Sequence, residues 1–412
     1  MAVLAVAAVS ARMLAEAAAR DGHRVVALDL FGDLDTRRAS AQWLPIGCDG
    51  SLQFDAARVL EALRHVARDV DGGVVGWIPG SGFEGHAELL EASAQVLPLI
   101  GTSADAVRRV RDPRQFFGAL AAHGIAHPAV QTDAPADPRG WLLKDAQACG
   151  GWHVRDAAAP PRPPARAVQD SSRDASQHIA PADAHGDSRD AAPGAADDAR
   201  DASHYYQRTM PGMPMSATFI ANGSEALLFG FNALRVRPFG AHPFVYCGCI
   251  GPVAVPAAVA RQVGDAVRLL SAEFGLRGWC SLDFVRDGDA IGVLEINPRP
   301  PASLALYARR GLIDAQLRAC LHSELPRTAA SAARVGGSEI VYARRPLQLD
   351  EAGARRIADW PDAHDLPAAG ARFEAGDPVC SLGAEAASAA QVEAILEAGR
   401  DALLDTLENM SI

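Results

Sequence analysis

The chain opens on short Val-rich runs, Val3 to Val9 and Arg24 to Asp29, followed later by Val74 to Ile78 and Leu97 to Ile100, with an amphipathic stretch from Ser10 to Arg20 after the first. Apolar runs of this length alternating with helical periods predict parallel strands joined by crossover helices. Ser10 is the expected N-cap of the first helix, Met13 and Leu14 its core-facing pair, and Gly22 its stop. The stretch from Asp112-Pro113 through Phe116, Phe117 and Leu120 to Gly124 predicts another helix, with Pro in its first turn and Gly past its end. Trp141 to Lys144 reads as a strand that runs into Gly150-Gly151-Trp152-His153-Val154.

The period changes from Tyr205 onward. Ser216 to Ile220 and Ala226 to Val236, turning at Asn222-Gly223, predict antiparallel strands. From Pro256 to Phe274 the residues Val259, Val263, Val267, Leu270 and Phe274 fall on one helical stripe. The tail has a strand at Ile340 to Tyr342, a turn at Gly376-Asp377-Pro378 and a helix from Ala390 to Leu407. Between about Ala157 and Ser203, Val168 and Ile179 are the only aliphatics larger than Ala or Pro, too little apolar surface to offset ordering entropy. A mobile insertion is expected there.

A chain of 412 residues exceeds what one core usually organises, so several are expected. The patterns give a mixed α/β and α+β organisation: an N-terminal parallel α/β domain over residues 1–110, a two-part region with antiparallel sheets over 111–325 carrying the insertion at 157–203, and a small C-terminal α+β segment over 326–412. Hydrophobic residues at 49% and charged ones at 22% are ordinary for a soluble globular protein and argue against a fibrous or disordered chain. A formal charge of -11 repels phosphodiester backbones and anionic lipid, so nucleic acid is not an expected partner. No run reaches the roughly 20 apolar residues that span a bilayer, and the apolar start lacks a basic lead, so no membrane association is expected. Seven scattered cysteines form no disulfide framework, which points to a reducing cytoplasm. The Cys247-x-Cys249 pair has no second ligand pair at zinc spacing and reads as structural.

Chemistry enters through loops and one hairpin. Asp29 to Asp35 and Gly80-Ser81-Gly82-Phe83-Glu84-Gly85 follow predicted strands, where α/β sheets bind ligands, although Gly and Asp serve turns equally well. No G-x-G-x-x-G follows the first strand, which removes the main support for a nicotinamide cofactor. Trp279 to Val285, Asp287-Gly288-Asp289 and Ile291 to Arg299 form a hairpin. With a three-residue loop from Gly288 to Ala290, Arg286 faces Gly292 and Asp283 faces Glu295. Asp283, Glu295 and Asn297 then share one face, with Leu282, Phe284, Leu294 and Ile296 on the other. Opposed carboxylates roughly 5 Å apart at Cβ repel unless a cation lies between them, and two carboxylates with an amide suit Mg²⁺, or Mn²⁺ in its place. Arg299, directly after Asn297-Pro298, adds a planar fork for phosphate or carboxylate. A solvated acidic face is the bland reading of such a hairpin, and the Asn-Pro-Arg after Glu295 argues against it.

The run Leu294-Glu295-Ile296-Asn297-Pro298-Arg299, with Asp283 before it, resembles the ATP-grasp superfamily, and the similarity extends across roughly Asp112 to Leu321. The resemblance implies an ATP-grasp fold with Mg-ATP bound at Asp283, Glu295 and Asn297. It implies that Lys144 and the Gly150-Gly151 loop, with His153 beyond, cover the phosphates, where ammonium offsets charge and glycines admit backbone N–H groups. It also places Tyr206, Gln207 and Arg208 at the adenine, Gln207 standing where Glu is commoner, and Arg114 where relatives carry a nucleotide-reaching lysine. The implied reaction is ligation: a carboxylate takes the γ-phosphate to give an acyl phosphate and ADP, and an amine displaces phosphate, with Arg299 and Lys144 as the catalytic charges. Small-molecule carboxylate and amine substrates are the expected partners, some similar proteins serving coenzyme biosynthesis, and a homodimer is left open. Phe373-Glu374-Ala375-Gly376-Asp377-Pro378-Val379 looks like the closing segment of carboxylase-type members, so a carboxyphosphate reaction is the alternative. A nucleotide-binding regulator without turnover has no need of the full charge set, and a plain sugar- or amino-acid-binding protein leaves the hairpin unexplained.

Overall fold

The computed structural model describes residues 2–48, 52–70, 72–159, 203–307, 310–328 and 334–410. The insertion expected at 157–203 lies, apart from its ends, outside them.

Strands β1 (Val3–Ala7), β2 (Arg24–Asp29), β3 (Gln42–Pro45) and β4 (Val74–Pro79) form a parallel sheet in the order β3-β2-β1-β4. Helix α1 (Arg12–Arg20) covers one face through Leu14 and its alanines, while α3 (Ala56–Asp69) and α4 (Ala87–Val96), which follow the short α2 (Leu34–Ala39), cover the other. Alternation along β1 decides this: Leu4 and Val6 face one layer, Ala5 and Ala7 the other. Leu97 to Ile100 contributes only a bridge from Leu99 to Trp77 rather than a full strand. Ser10 is not the helix cap. Its Oγ donates to Asp365 Oδ1 at 3.0 Å, and Ala11 is the capping residue, its N–H donating to Asp29 Oδ2 at 3.0 Å.

Helix α5 (Ala104–Arg111) ends where Asp112 caps α6 (Pro113–Ala122), its carboxylate accepting the Arg114 and Gln115 N–H groups. A small antiparallel sheet follows in the order β5-β8-β6-β7, built from β5 (Val130–Gln131), β6 (Trp141–Asp145), β7 (Arg155–Asp156) and β8 (His204–Arg208). The main sheet has the order β13-β12-β9-β10-β11-β14-β18-β16. It begins with β9 (Met213–Asn222), β10 (Ala226–Phe239), β11 (His242–Gly251), β12 (Arg277–Asp287) and β13 (Ala290–Asn297). Helix α7 (Ala257–Phe274) buries its predicted stripe against Phe219, Leu282, Phe284 and Ile296. Ile220 and Trp279, on the opposite face, join the core of the first sheet together with α8 (Leu312–Leu317), so an apolar interface fixes the two sheets to each other.

The segment after residue 326 extends this main sheet through β14 (Val335–Tyr342), β16 (Ala363–His364) and β18 (Pro378–Ala386), with β15 (Leu347–Gln348) and β17 (Arg372–Phe373) paired separately. Helices α9 (Glu351–Ala358) and α10 (Ala389–Met410) close its core. The Cys247-x-Cys249 pair lies buried in β11, and the cysteines are free. Among the described residues no helix is long and apolar enough to cross a membrane.

Candidate active site

A cavity of about 270 Å³ separates the small sheet from the main one. On the small-sheet side β6 supplies Leu142 and Lys144 and β8 supplies Gln207 and Arg208; Gly150, Gly151 and His153 come from the loop after β6. On the main-sheet side β12 supplies Ser281 and Asp283, β13 supplies Glu295 and Asn297, and Arg299 follows. Residues more than 150 positions apart in sequence thus face one another across a single space.

The hairpin carries a correction. Its loop is two residues long, so Arg286 pairs with Ile291 and Val285 with Gly292. Asp283 still pairs with Glu295, because Leu294 is an extra residue between the Phe284–Val293 and Asp283–Glu295 pairs. This bulge moves Leu294 off the oily face and into the cavity lining, and Val293 takes its place in the core. The acidic face forms as expected, by a different register.

Asp283 and Glu295 are both half-buried. Burial, and then the charge of Glu295, push the Asp283 carboxyl well above its usual range. Burial acts on Glu295 in the same sense, but Lys144 and Arg111 outweigh it and hold Glu295 below its usual range. The proton that the pair retains therefore sits on Asp283. Asn297 Nδ2 donates to Asp283 Oδ2 at 3.1 Å, and Asn297 Oδ1 accepts from Arg299 Nη2 at 3.4 Å. Two opposed carboxylates that resist ionising together, with the Asn297 side-chain amide beside them, are a donor set that fits a hard divalent cation.

Lys144 is buried, donates to Gln207 Oε1 at 3.3 Å, and has its Nζ 5.8 Å from the Tyr205 ring centroid. Burial disfavours its charge, yet Tyr205 and Glu295 hold the ammonium proton more tightly than usual. The glycine loop lies against β11: the Tyr246 N–H donates to Gly150 O at 2.9 Å, and a Cβ at Gly151 would collide with the Phe244 carbonyl oxygen. With φ +79°, Gly151 also has the left-handed backbone that favours glycine. Burial makes His153 a neutral imidazole at pH 7, its pKa pushed down to about 4.

Two expected nucleotide contacts lie elsewhere. Tyr206 does not line the cavity; β8 alternates, so Tyr205 and Gln207 share the side of Lys144 and Leu142 while Tyr206 points the other way. Arg114 is exposed on the first turn of α6 and away from the cavity.

A family model described as an ATP-grasp domain matches residues 180–303. No curated protein matches by sequence. The L-amino acid ligase of Bacillus licheniformis superposes with a TM-score of 0.66 at 13% identity, covering 97% of this chain and 97% of that one. The carboxyaminoimidazole ribonucleotide synthase of Aspergillus clavatus, complexed with ATP, superposes at 0.65 with 17% identity over 98% and 99% of the two chains. The biotin carboxylase of Campylobacter jejuni gives 0.68 with 11% identity over 98% and 95%. The chain has the ATP-grasp fold.

Two residues of this chain escape a sequence reading. Glu84, from the glycine loop after β4, is buried and accepts from Arg299 Nε at 3.1 Å and Nη2 at 3.0 Å through Oε1, while Oε2 accepts the Gly82 N–H at 2.6 Å. One edge of the Arg299 fork is therefore already filled by a carboxylate from the N-terminal sheet. Burial opposes the Glu84 charge, but Arg299 and Arg111 prevail and hold its pKa low. Arg111, three residues before Arg114, has a side chain only 9% exposed and lies 3.4 Å from Glu295. The loop Gly80 to Gly85 was a visible signal for Glu84; in Arg108-Arg109-Val110-Arg111 nothing local distinguishes the inward arginine.

Proposed function

We propose that this chain is an ATP-dependent ligase that transfers the γ-phosphate of ATP to a substrate carboxylate and couples the resulting acyl phosphate to an amine. One observation carries the reading: Lys144 and the Gly150-Gly151 loop face Asp283, Glu295 and Asn297 across one cavity, with Arg299 at the same end. Phosphoryl transfer needs mainly positioning and charge neutralisation, and these groups supply both. The apolar part of the cavity, Leu142, Val154, Met210 and Leu294 beside Gln207, suits a flat base with one polar edge.

Asp283, Glu295 and Asn297 would hold Mg²⁺, which when bound would screen the phosphate oxygens. Lys144 and the loop N–H groups orient the γ-phosphate in line with a carboxylate oxygen. That oxygen bonds to the γ-phosphorus as the bond to ADP breaks. Arg299 lines the cavity with its Nε and Nη2 held by Glu84, Nη2 shared with Asn297 Oδ1 and Nη1 donating to Pro300 O at 3.4 Å, so one Nη1 N–H is left for the transferred phosphoryl or the acyl oxygen. An amine nitrogen then bonds to the acyl carbon, phosphate departs, and the nitrogen loses a proton.

The test is incubation of pure protein with Mg-ATP and a panel of amino acids, other amines and bicarbonate, following phosphate and nucleotide products. ADP and phosphate release that needs both a carboxylate and an amine is expected. AMP and pyrophosphate would refute the acyl-phosphate route, and release driven by bicarbonate would assign the carboxyphosphate reaction instead.

A further inference from the structure

Arg111 stands at a junction that nucleotide binding alone leaves without a role. It is the last residue of α5, and Pro113, capped by Asp112, starts a new helix directly after it. Its Nε donates to Ala146 O at 2.9 Å and its Nη2 to Ala148 O at 2.8 Å, carbonyls that lead into Gly150-Gly151. Its Nη1 donates to Glu295 Oε2 at 3.4 Å. Arg111 does not line the main cavity; it faces Glu295 from behind, beside Tyr205 and Leu294. A planar, always-charged fork thus spans two backbone carbonyls and one carboxylate, a geometry an ammonium cannot reproduce. The segment is also gripped from its other side, since a Cβ at Gly85 would collide with the Gln147 carbonyl oxygen.

We propose that Arg111 is a positioning residue that locks the glycine loop to Glu295, setting the phosphate cradle at a fixed distance from the acidic edge before nucleotide arrives. It acts through Ala146, Ala148 and Glu295 rather than by touching substrate. The purpose of the lock rests on the ATP reading; the lock itself does not.

The lock is read in nucleotide-free full-length protein, by amide hydrogen exchange across residues 145–154 and by the rate at which a small alkylating reagent labels Cys149, resolved by peptide mass spectrometry. Cys149 is half-buried inside the locked segment. Arg111→Met should accelerate both by about tenfold, the scale on which supporting contacts around a site act, while amides of β12 keep wild-type protection. Arg111→Lys should fall between. Binding of Mg-ATP, measured by calorimetry, should weaken by about tenfold in Arg111→Met. Wild-type exchange and labelling in Arg111→Met overturn the proposal, and so does an equal loss of protection in β12, which would make Arg111 a general structural residue. Should Arg111→Met not fold, Arg111→Lys decides, and an unchanged Cys149 rate overturns the lock. Wild-type protein that ignores Mg-ATP refutes the proposed function, whereas the exchange result still decides Arg111.

Discussion

The contact between Glu84 and Arg299 gives a quantitative test of how the N-terminal sheet is joined to the site. Glu84→Gln keeps the side-chain volume and removes one charge. The pair is nearly dry, the Glu84 side chain 1% exposed and that of Arg299 15%. The glutamine amide cannot satisfy both neighbours: with its oxygen toward Arg299 its NH₂ meets the Gly82 N–H, and reversed, its NH₂ meets the guanidinium. Breaking a buried pair from one side costs about 3 to 5 kcal/mol, and the slight exposure of Arg299 places this case near 3 kcal/mol. Arg299→Met leaves Glu84 without its hydrogen-bonded partner and with only the charge of Arg111 to offset it, and should cost a similar amount, whereas the double variant removes both charges and should cost less than the sum by roughly 2 kcal/mol. Urea unfolding followed by tryptophan fluorescence measures all three, Trp77 lying beside Phe83 in the loop that carries Glu84. The sign with pH follows from the lowered pKa of Glu84: its contribution is complete above the unfolded value near 4.5 and is lost as pH falls below it. The deficit of Glu84→Gln should therefore be full at pH 7 and shrink in acid. A Glu84→Gln cost below about 0.5 kcal/mol, or strictly additive single costs, would refute this reasoning.

Three further outcomes are expected. Glu295→Gln should abolish Mg-ATP-dependent phosphate release while keeping the far-UV spectrum, and undiminished release would remove Glu295 from the metal set. Asp283→Asn should stabilise the protein in EDTA at pH 8 by about 1 to 3 kcal/mol, a Coulomb term at roughly 5 Å and effective dielectric near 20 reduced for partial exposure. Since the folded pKa of Asp283 is raised, its wild-type carboxyl is stabilising below the unfolded value and loses that stability as pH climbs, so the Asn variant's advantage should be smaller at pH 5 than at pH 8; an equal advantage at both would contradict the assignment. Gly151→Ala should weaken ATP binding measured by calorimetry at least tenfold, because its Cβ meets the Phe244 carbonyl and forces the loop off β11, and wild-type affinity would show that the cradle tolerates displacement.

The apolar runs of β1, β2 and β4, the stripe of α7 and the capped start of α6 were legible because each is a local pattern that matches the element it forms, whereas the short β3 carries no such run. The acidic face of the hairpin was legible for the same reason. Its register was not: the Leu294 bulge is set by how β12 pairs at once with β13 and β9, and no period within the hairpin records the second partner. In β11 the pairing with β10 shifts at Cys247, so Tyr246 and Cys249, three apart, both reach the cavity and the alternation that would reveal a strand is broken.

By itself the sequence determined most element types and the carboxylates and amide that share the acidic edge, since strand alternation and charge are properties of neighbouring residues, whereas Lys144 was placed opposite them by the family resemblance. Only the tertiary structure decided which arginine turns inward and which carboxylate holds Arg299. Arg111 and Arg114 differ in one helix end, and Glu84 and Arg299 are brought together by the packing of two sheets whose contact no local pattern encodes.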